Sequence, residues 1–133
     1  MNGKDVLKSI EKEKLIVIFR GIPTEGAANV AKALADGGVK FIEITYNHRK
    51  DSPEKYFEEQ MLAVKAAVGD RVCMGAGTVL TVGQVELAHR LGAGYIVSPN
   101  TNEAVIKRTK ELDMVSIPGA MTPTEIVYAR DCG

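Results

Sequence analysis

Five short runs of apolar residues recur along the chain, and segments with one apolar and one polar face separate them. They occupy residues 15–19, 39–45, 72–76, 95–97 and 114–117. The first of them, residues 15–19, is a continuous apolar run, which is typical of strands that a parallel sheet buries on both faces. The pattern therefore predicts about five parallel strands alternating with helices, preceded by an amphipathic helix over residues 3–13.

The segments between the runs begin with residues that favour the first turn of a helix. A Ser, Thr or Asn side chain accepts a hydrogen bond from a first-turn N–H group, and a Glu or Gln three residues later completes a capping box. Proline at the first helical position favours the same boundary. Such starts are predicted at Pro23-Thr24, Ser52-Pro53, Thr81 with Gln84, Asn100 with Glu103, and Thr122 with Glu125.

The short connections between these elements predict one right-handed α/β domain over residues 1–133. No linker, low-complexity tract or shift in composition divides the sequence. Two architectures fit the order of elements: an open, doubly wound sheet, or part of a (β/α)8 barrel, the TIM barrel. The sequence supplies about five strand–helix units, fewer than a closed (β/α)8 barrel requires, so the barrel alternative is a partial barrel.

Charge and composition exclude several classes of partner. Lys and Arg together number 17, as do Asp and Glu, so no basic excess predicts binding to nucleic acid or to an anionic membrane. The first residues lack the apolar core of a signal peptide, and no run approaches the roughly 18 apolar residues of a membrane span. Two cysteines and two histidines argue against a disulfide framework and a metal site. We therefore expect a cytoplasmic protein without a bound metal.

The second predicted strand carries a carboxyl group on the face turned away from the helices. Side chains alternate along a strand, so Phe41, Glu43 and Thr45 share one face, while Ile42 and Ile44 share an aliphatic face suited to packing under helices. A buried carboxylate must be paired, hydrogen-bonded or protonated. Such a group can have a pKa near neutrality and transfer protons. Glu43 is thus a candidate catalytic residue, and a structural carboxylate paired with an arginine is the alternative.

Polar groups also stand at the carboxyl ends of other strands, where parallel α/β folds build their sites. Arg20 ends the first strand, and its guanidinium could bind a carboxylate or phosphate or form an ion pair with Glu43. Thr78 ends the third strand behind Gly75 and Gly77, two residues that allow a ligand to approach the backbone closely. The full G-x-G-x-x-G pattern of dinucleotide-binding folds is absent.

Two further segments follow strands. Pro99 comes directly after the fourth strand, where a proline either terminates the strand or shapes a pocket wall. A short basic group, His48, Arg49 and Lys50, follows the second strand and is interpreted as a solvent-exposed loop.

Four of these strand-end segments occur in an order and spacing that match a known family. They are residues 42–45 (IEIT), 75–79 (GAGTV), 96–99 (IVSP) and 117–125 (IPGAMTPTE). With them the sequence resembles the KDPG/KHG aldolases, the bacterial 2-keto-3-deoxy-6-phosphogluconate and 4-hydroxy-2-oxoglutarate aldolases. The resemblance covers nearly the whole chain, from Leu15 onward.

The resemblance implies a (β/α)8 barrel, commonly a homotrimer, that makes or breaks a carbon–carbon bond next to pyruvate without a metal or other cofactor. A lysine condenses with the keto group to form a Schiff base, which accepts the electrons of the developing carbanion. By the same resemblance Glu43 transfers protons, Thr78 and Arg20 hold the anionic end of a keto acid, and Pro99 lines the pocket. The implied partners are pyruvate or a sugar-acid phosphate that contains it, and further copies of the chain.

Two departures from the family pattern change this expectation. Many members place an arginine four residues after the glutamate, where this chain has Asn47. The family's Schiff-base lysine lies on the sixth strand, beyond Gly133, and its phosphate-binding loops follow the seventh and eighth strands. Lys14 and Lys40 precede their strands and so lie at the wrong end of a barrel. We therefore expect this chain to lack the nucleophile and to be inactive alone.

Two alternatives to an aldolase remain open at this point. A non-catalytic partial barrel would expose the edges of its first and last strands, and self-association would cover them. A ligand-binding module built on an open sheet is the weaker alternative, because the glycine pattern of nucleotide binding is incomplete.

Overall fold

The computed structural model describes residues 2–133, in which helices alternate with the strands of one parallel sheet. The helices are α1 (Gly3–Glu13), α2 (Thr24–Asp36), α3 (Pro53–Val68), α4 (Val82–Arg90), α5 (Glu103–Glu111) and α6 (Pro123–Asp131), with a 3-10 turn at Gly69–Arg71. The strands are β1 (Val17–Phe19), β2 (Phe41–Thr45), β3 (Cys73–Gly77), β4 (Tyr95–Ser98) and β5 (Val115–Pro118). Each predicted helix and strand is present, with boundaries shifted by one or two residues.

The order of strands decides between the two predicted architectures. Strands β1 to β5 lie side by side in sequence order, and every neighbouring pair is parallel. A doubly wound sheet reverses its strand order at a switch point, whereas a (β/α)8 barrel adds each strand next to the preceding one. The sheet is therefore part of a barrel.

The outer face of the sheet packs against the helices, as the alternation in β2 predicts. Ile42 and Ile44 are fully buried in one cluster with Phe57 and Met61 of α3 and Ala31 of α2. Burying each large apolar side chain contributes roughly 1.5–3 kcal/mol. This layer therefore supplies most of the hydrophobic stabilisation and fixes which side chains of β2 face inward.

A second, smaller cluster lies on the inner face of the sheet, at the amino ends of the strands. Phe41, Tyr95 and Val115 form it with Val6 of α1. The rings of Phe41 and Tyr95 meet edge to face, with centroids 6.0 Å apart. Helix α1 thus closes the amino end of the partial barrel, which leaves the carboxyl ends of the strands for a site.

Three helix starts differ from the predicted caps. Ser52 precedes α3 as predicted, but its side chain makes no capping hydrogen bond. Helix α5 is capped by Asn102, whose side chain accepts from the N–H of Val105 at 3.2 Å, so the prediction of Asn100 as the cap was wrong. Thr81 caps α4 as predicted, but the Gln84 side chain accepts from the N–H of Leu80 instead of that of Thr81. The geometry of the local turn decides which side chain caps a helix. The sequence has asparagines at both 100 and 102 and therefore does not predict which of them caps α5.

The capping box predicted for the last helix is confirmed, although α6 contributes little to the core. Thr122 and Glu125 exchange both capping hydrogen bonds. Ile126, Val127 and Tyr128 are 58%, 49% and 45% exposed. The helix is therefore held by local bonds at its start and presents an apolar surface to solvent.

The first strand is shorter and more exposed than its apolar run predicts. Leu15 lies before the strand and Ile18 faces the open inner side, and both are more than half exposed. The outer side of the strand is covered, since Phe19 is buried in the main core, whereas the inner side is open at Ile18. Among residues 2–133 no helix has the length and apolarity needed to cross a bilayer.

Candidate active site

Glu43 lies at the centre of β2 on the inner face of the partial barrel, with 4% of its surface exposed. The hydroxyl of Thr45, two residues further along the same face, donates a hydrogen bond of 3.0 Å to Oε1 of Glu43. The carboxyl group is thus desolvated but has a hydrogen-bond donor, which is how a buried carboxylate is tolerated.

The two glycines of β3 make the space that the inward-facing side chains of the neighbouring strands occupy. A Cβ atom on Gly77 would overlap the carboxyl of Glu43, and one on Gly75 would overlap the ring of Tyr95. Glu43, Gly75 and Tyr95 are register partners across three adjacent strands. The two glycines were predicted to let a ligand approach the backbone; in the structure they also make room for Glu43 and Tyr95.

Burial raises the pKa of Glu43, although the hydrogen bond from Thr45 and the positive charge of Arg20 both oppose the shift. A raised pKa makes a carboxyl group a stronger base and so favours acceptance and return of a proton. The observed environment therefore suits proton transfer, and it also leaves Glu43 costly to ionise.

Arg20 follows β1 at its carboxyl end and is exposed. Its Nη2 lies 3.5 Å from the hydroxyl oxygen of Thr78, and within residues 2–133 no ion pair joins it to Glu43. The structural ion pair between Arg20 and Glu43, which was the alternative to a catalytic role, is therefore not formed. The guanidinium retains donors for an anion beside the Thr78 hydroxyl.

Thr78 leaves β3 in a left-handed backbone conformation, with φ of 56°. Its carbonyl oxygen lies 2.8 Å from Nε2 of His48, so the imidazole donates to it across the end of β3. The sequence analysis interpreted His48 as part of a solvent-exposed loop and missed this contact. No local signal could have revealed it, because the partner lies 30 residues further along the chain.

Pro99 is exposed at the carboxyl end of β4, one strand away from Thr78. Its carbonyl lies so close to Gly119, which follows β5, that a Cβ atom on Gly119 would overlap it. The structure thus brings Arg20, Glu43 and Thr78 together, while Pro99 and Gly119 form the neighbouring part of the rim.

Tyr95 is a second inward-facing polar residue that the sequence analysis did not single out. It is fully buried, and its hydroxyl has no hydrogen-bond partner in the described part of the chain. Burial raises the pKa of Tyr95, and the nearby Cys73 and Glu43 raise it further. The tyrosine is therefore a neutral neighbour of the carboxyl group. Burial also raises the pKa of the Cys73 thiol to about 11.

None of the lysines among residues 2–133 belongs to a strand. Lys14 and Lys40 precede β1 and β2, at the end of the sheet that α1 closes. Lys50 lies in the loop after β2, with Nζ over the ring of Tyr56 in α3 at 4.9 Å from the ring centroid. Within the same residues no group of three or more His, Cys, Asp or Glu side chains could hold a metal ion.

Comparison with known proteins identifies relatives of this arrangement. The sequence model of the KDPG and KHG aldolase family matches residues 6–133. The 2-dehydro-3-deoxy-6-phosphogalactonate aldolase of Escherichia coli (strain K12) is 40% identical over 123 residues, which are 92% of this chain and 57% of that protein. The 2-dehydro-3-deoxy-phosphogluconate aldolase of Treponema pallidum (strain Nichols) is 31% identical over 128 residues, 96% of this chain and 58% of that protein.

A solved structure agrees with the sequence matches. The structure of native KDPGal superposes with a TM-score of 0.74 at 36% identity and covers 89% of this chain and 54% of that chain. The chain thus spans about half the length of the curated relatives that it matches, and its strand order is that of the corresponding part of the aldolase barrel.

Proposed function

This chain belongs to the KDPG and KHG aldolase family, and we propose that it supplies the proton-transfer and carboxylate-binding part of a Schiff-base (class I) aldolase site. The observation that carries the proposal is the buried Glu43, whose pKa is raised by desolvation at a rim that also holds Arg20 and Thr78. The reaction is reversible cleavage of a 2-keto-3-deoxy sugar acid to pyruvate and an aldehyde.

Each of the proposed residues has a role that its surroundings support. Glu43 accepts and returns the proton that moves when the carbon–carbon bond breaks or forms. Arg20 and the hydroxyl of Thr78 bind the carboxylate of the keto acid, since a guanidinium and a hydroxyl converge at that point. Pro99 lines the rim on the adjacent strand.

The substrate that we propose is a 6-phosphorylated 2-keto-3-deoxy sugar acid. The E. coli relative at 40% identity is named for the phosphogalactonate compound, and the T. pallidum relative at 31% is named for the phosphogluconate compound. The two differ in configuration at one hydroxyl-bearing carbon, a difference that a hydrogen-bonding side chain can distinguish. The unphosphorylated 4-hydroxy-2-oxoglutarate is the other substrate that the family name includes.

The Schiff-base lysine of the proposed reaction comes from outside residues 1–133. A nucleophilic lysine needs a desolvated place at the carboxyl end of a strand, and no lysine among residues 2–133 has one. We therefore propose that this chain binds pyruvate without forming a covalent adduct and that it becomes active when a lysine-bearing strand completes the barrel.

Borohydride trapping tests this proposal. We expect the purified chain, incubated with pyruvate and sodium borohydride, to keep its mass, because no Schiff base forms to be reduced. We expect the same chain, mixed with a fragment comprising the carboxyl-terminal part of the E. coli relative that it does not match, to yield an adduct on that fragment. A pyruvyl adduct on this chain alone would contradict the proposal, and so would the absence of an adduct in a mixture that forms a stable complex.

A second candidate function is that of a non-catalytic partial barrel that self-associates, and the surface of α6 favours it. Met121 is 95% exposed, Ile126 and Val127 are about half exposed, and β5 is the last strand of the sheet. A second copy would cover these groups by placing its own edge strand against them. Light scattering at micromolar concentration should then give a homo-oligomer, and a well-folded monomer would exclude it.

We also propose that the protein acts in the cytoplasm. Both cysteines, Cys73 and Cys132, are free thiols, as is typical of proteins in a reducing compartment.

A further inference from the structure

The loop after β2 reaches across the end of β3 through one side chain. Nε2 of His48 lies 2.8 Å from the carbonyl oxygen of Thr78. A carbonyl oxygen accepts hydrogen bonds and cannot donate them, so Nε2 carries the hydrogen. The imidazole therefore ties the β2 loop to the backbone of the residue that follows β3.

A buried aromatic stack supports the imidazole. The ring of His48 stacks on Tyr46 with centroids 6.0 Å apart and an angle of 23° between the planes. Tyr46 in turn stacks on Phe57 of α3 at 4.0 Å, and its hydroxyl donates to the carbonyl of Gln84 in α4 at 3.2 Å. Because Tyr46 is held at both its ring and its hydroxyl, the surface against which His48 rests is rigid.

The peptide group that His48 contacts is bonded on both sides. Its carbonyl belongs to Thr78, and its N–H belongs to Val79, which donates to the carbonyl of Val97 at 3.2 Å. Thr78 has a φ of 56°, a conformation that is strained for a non-glycine residue and persists only where neighbours enforce it. The two hydrogen bonds fix the peptide plane and with it the direction of the Thr78 hydroxyl, beside Nη2 of Arg20.

We propose that His48 is a positioning residue, which holds Thr78 in the left-handed conformation that directs its hydroxyl, together with Arg20, toward the carboxylate of a keto acid. This inference rests on the proposed function, because that function assigns the carboxylate to Thr78 and Arg20. His48 is exposed and adds little to the core, so its hydrogen bond to the carbonyl is its main contribution.

Two isosteric substitutions test the role of the Nε2 hydrogen bond. A glutamine amide reaches about as far as the Nε2 of histidine, whereas an asparagine amide reaches about as far as Nδ1. We therefore expect His48→Gln to keep the bond to Thr78 and His48→Asn to lose it. Both variants remove the imidazole ring, so each is the control for the other, and thermal unfolding checks that both fold.

The first readout is made without ligand and does not depend on any activity. In His48→Asn we expect the amide signals of Thr78 and Val79 in 15N-labelled protein to shift and their hydrogen exchange to accelerate, whereas in His48→Gln they stay close to the parent. Equal spectra at Thr78 and Val79 in both variants and the parent would overturn the positioning role of His48.

The second readout is the dissociation constant for pyruvate, measured by titration followed in the same spectra. A net hydrogen bond contributes about 0.5–1.5 kcal/mol, so His48→Asn should weaken pyruvate binding by roughly three- to tenfold, and His48→Gln by less than about twofold. Perturbed Thr78 signals in His48→Asn with unchanged pyruvate affinity would uphold the contact to Thr78 and overturn the assignment of Thr78 to the carboxylate, which is a failure of the proposed function.

Discussion

Replacing Glu43 with glutamine should slow the aldol reaction by about 10²–10⁴-fold, the usual contribution of a positioned acid–base group. The amide keeps the size of the side chain and can still accept from Thr45, but it cannot take up a proton. The measurement is the rate of pyruvate methyl-proton exchange in D₂O, in the chain completed by the lysine-bearing fragment. Borohydride trapping should continue in this variant, because the carboxyl is not the nucleophile. An unchanged exchange rate would remove Glu43 from the chemistry.

The same substitution should stabilise the fold at neutral pH. Burial raises the folded-state pKa of Glu43, so the stability associated with its protonated form is complete below the unfolded-state pKa and is lost as the pH rises through the folded-state pKa. Glutamine cannot ionise and escapes this loss. The free energy of unfolding of Glu43→Gln should therefore exceed that of the parent most at alkaline pH, and the difference should vanish on acidification. The difference amounts to about 1.4 kcal/mol for each unit by which the pKa of Glu43 is raised.

Urea unfolding at several pH values measures this difference, and Glu103→Gln is a control of opposite sign. Hydrogen bonds from Lys107 and Tyr128 lower the pKa of Glu103, so its ionised form stabilises the folded state above the unfolded-state pKa, and that stability is lost as the pH falls through the folded-state pKa. Glu103→Gln should therefore be less stable than the parent at neutral pH, with a gap that closes in acid. A Glu43→Gln variant that is less stable than the parent at alkaline pH would contradict the desolvation of this carboxyl.

The second large effect, a loss in the free energy of unfolding, is expected from Gly75→Ala. The added methyl group would overlap the ring of Tyr95, which is fully buried in the inner cluster and has no room to move aside. Overpacking of this kind typically costs 1–3 kcal/mol, with roughly the upper value expected here because the obstacle is a rigid ring. Chemical denaturation measures the loss in the free energy of unfolding.

Gly26→Ala is the matched control for this substitution. Gly26 lies in the first turn of α2, and a Cβ atom there would meet no heavy atom within 4 Å. Alanine should therefore be tolerated and should stabilise the helix by at most about 1 kcal/mol, the difference found in helix interiors. A Gly75→Ala variant as stable as Gly26→Ala would contradict the observation that the ring of Tyr95 packs directly over Gly75.

Gly77→Ala separates stability from chemistry on the same strand. Its methyl group would overlap the carboxyl of Glu43, but a glutamate side chain is flexible and can swing toward the open rim. We therefore expect a smaller loss of stability than in Gly75→Ala and a loss of proton exchange close to that of Glu43→Gln. If Gly77→Ala exchanged protons at the parent rate, the position of the Glu43 carboxyl over Gly77 would not be required for proton transfer.

Local rules in the sequence predicted most of the elements and the direction in which Glu43 points. Continuous apolar runs predicted the parallel strands, and the alternation within β2 placed Ile42 and Ile44 under the helices and Glu43 inside. The same rules were less reliable at boundaries, where Asn102 rather than Asn100 caps α5. A helix cap depends on the geometry of a single turn. Two asparagines that lie two residues apart are both candidates, and the sequence does not decide between them.

By itself, then, the sequence determined the strand–helix alternation, the inward face of Glu43 and the polar residues at the carboxyl ends of the strands, because these follow from the spacing of side chains along one segment. The tertiary structure alone decided that Gly75 and Gly77 make room for Tyr95 and Glu43, that Arg20 stands beside Thr78 without pairing with Glu43, and that His48 holds the peptide after Thr78. Each of these contacts joins residues of different strands or of the loops that follow them. The spacing of residues along one segment does not reveal how far a side chain extends over a neighbouring strand or loop.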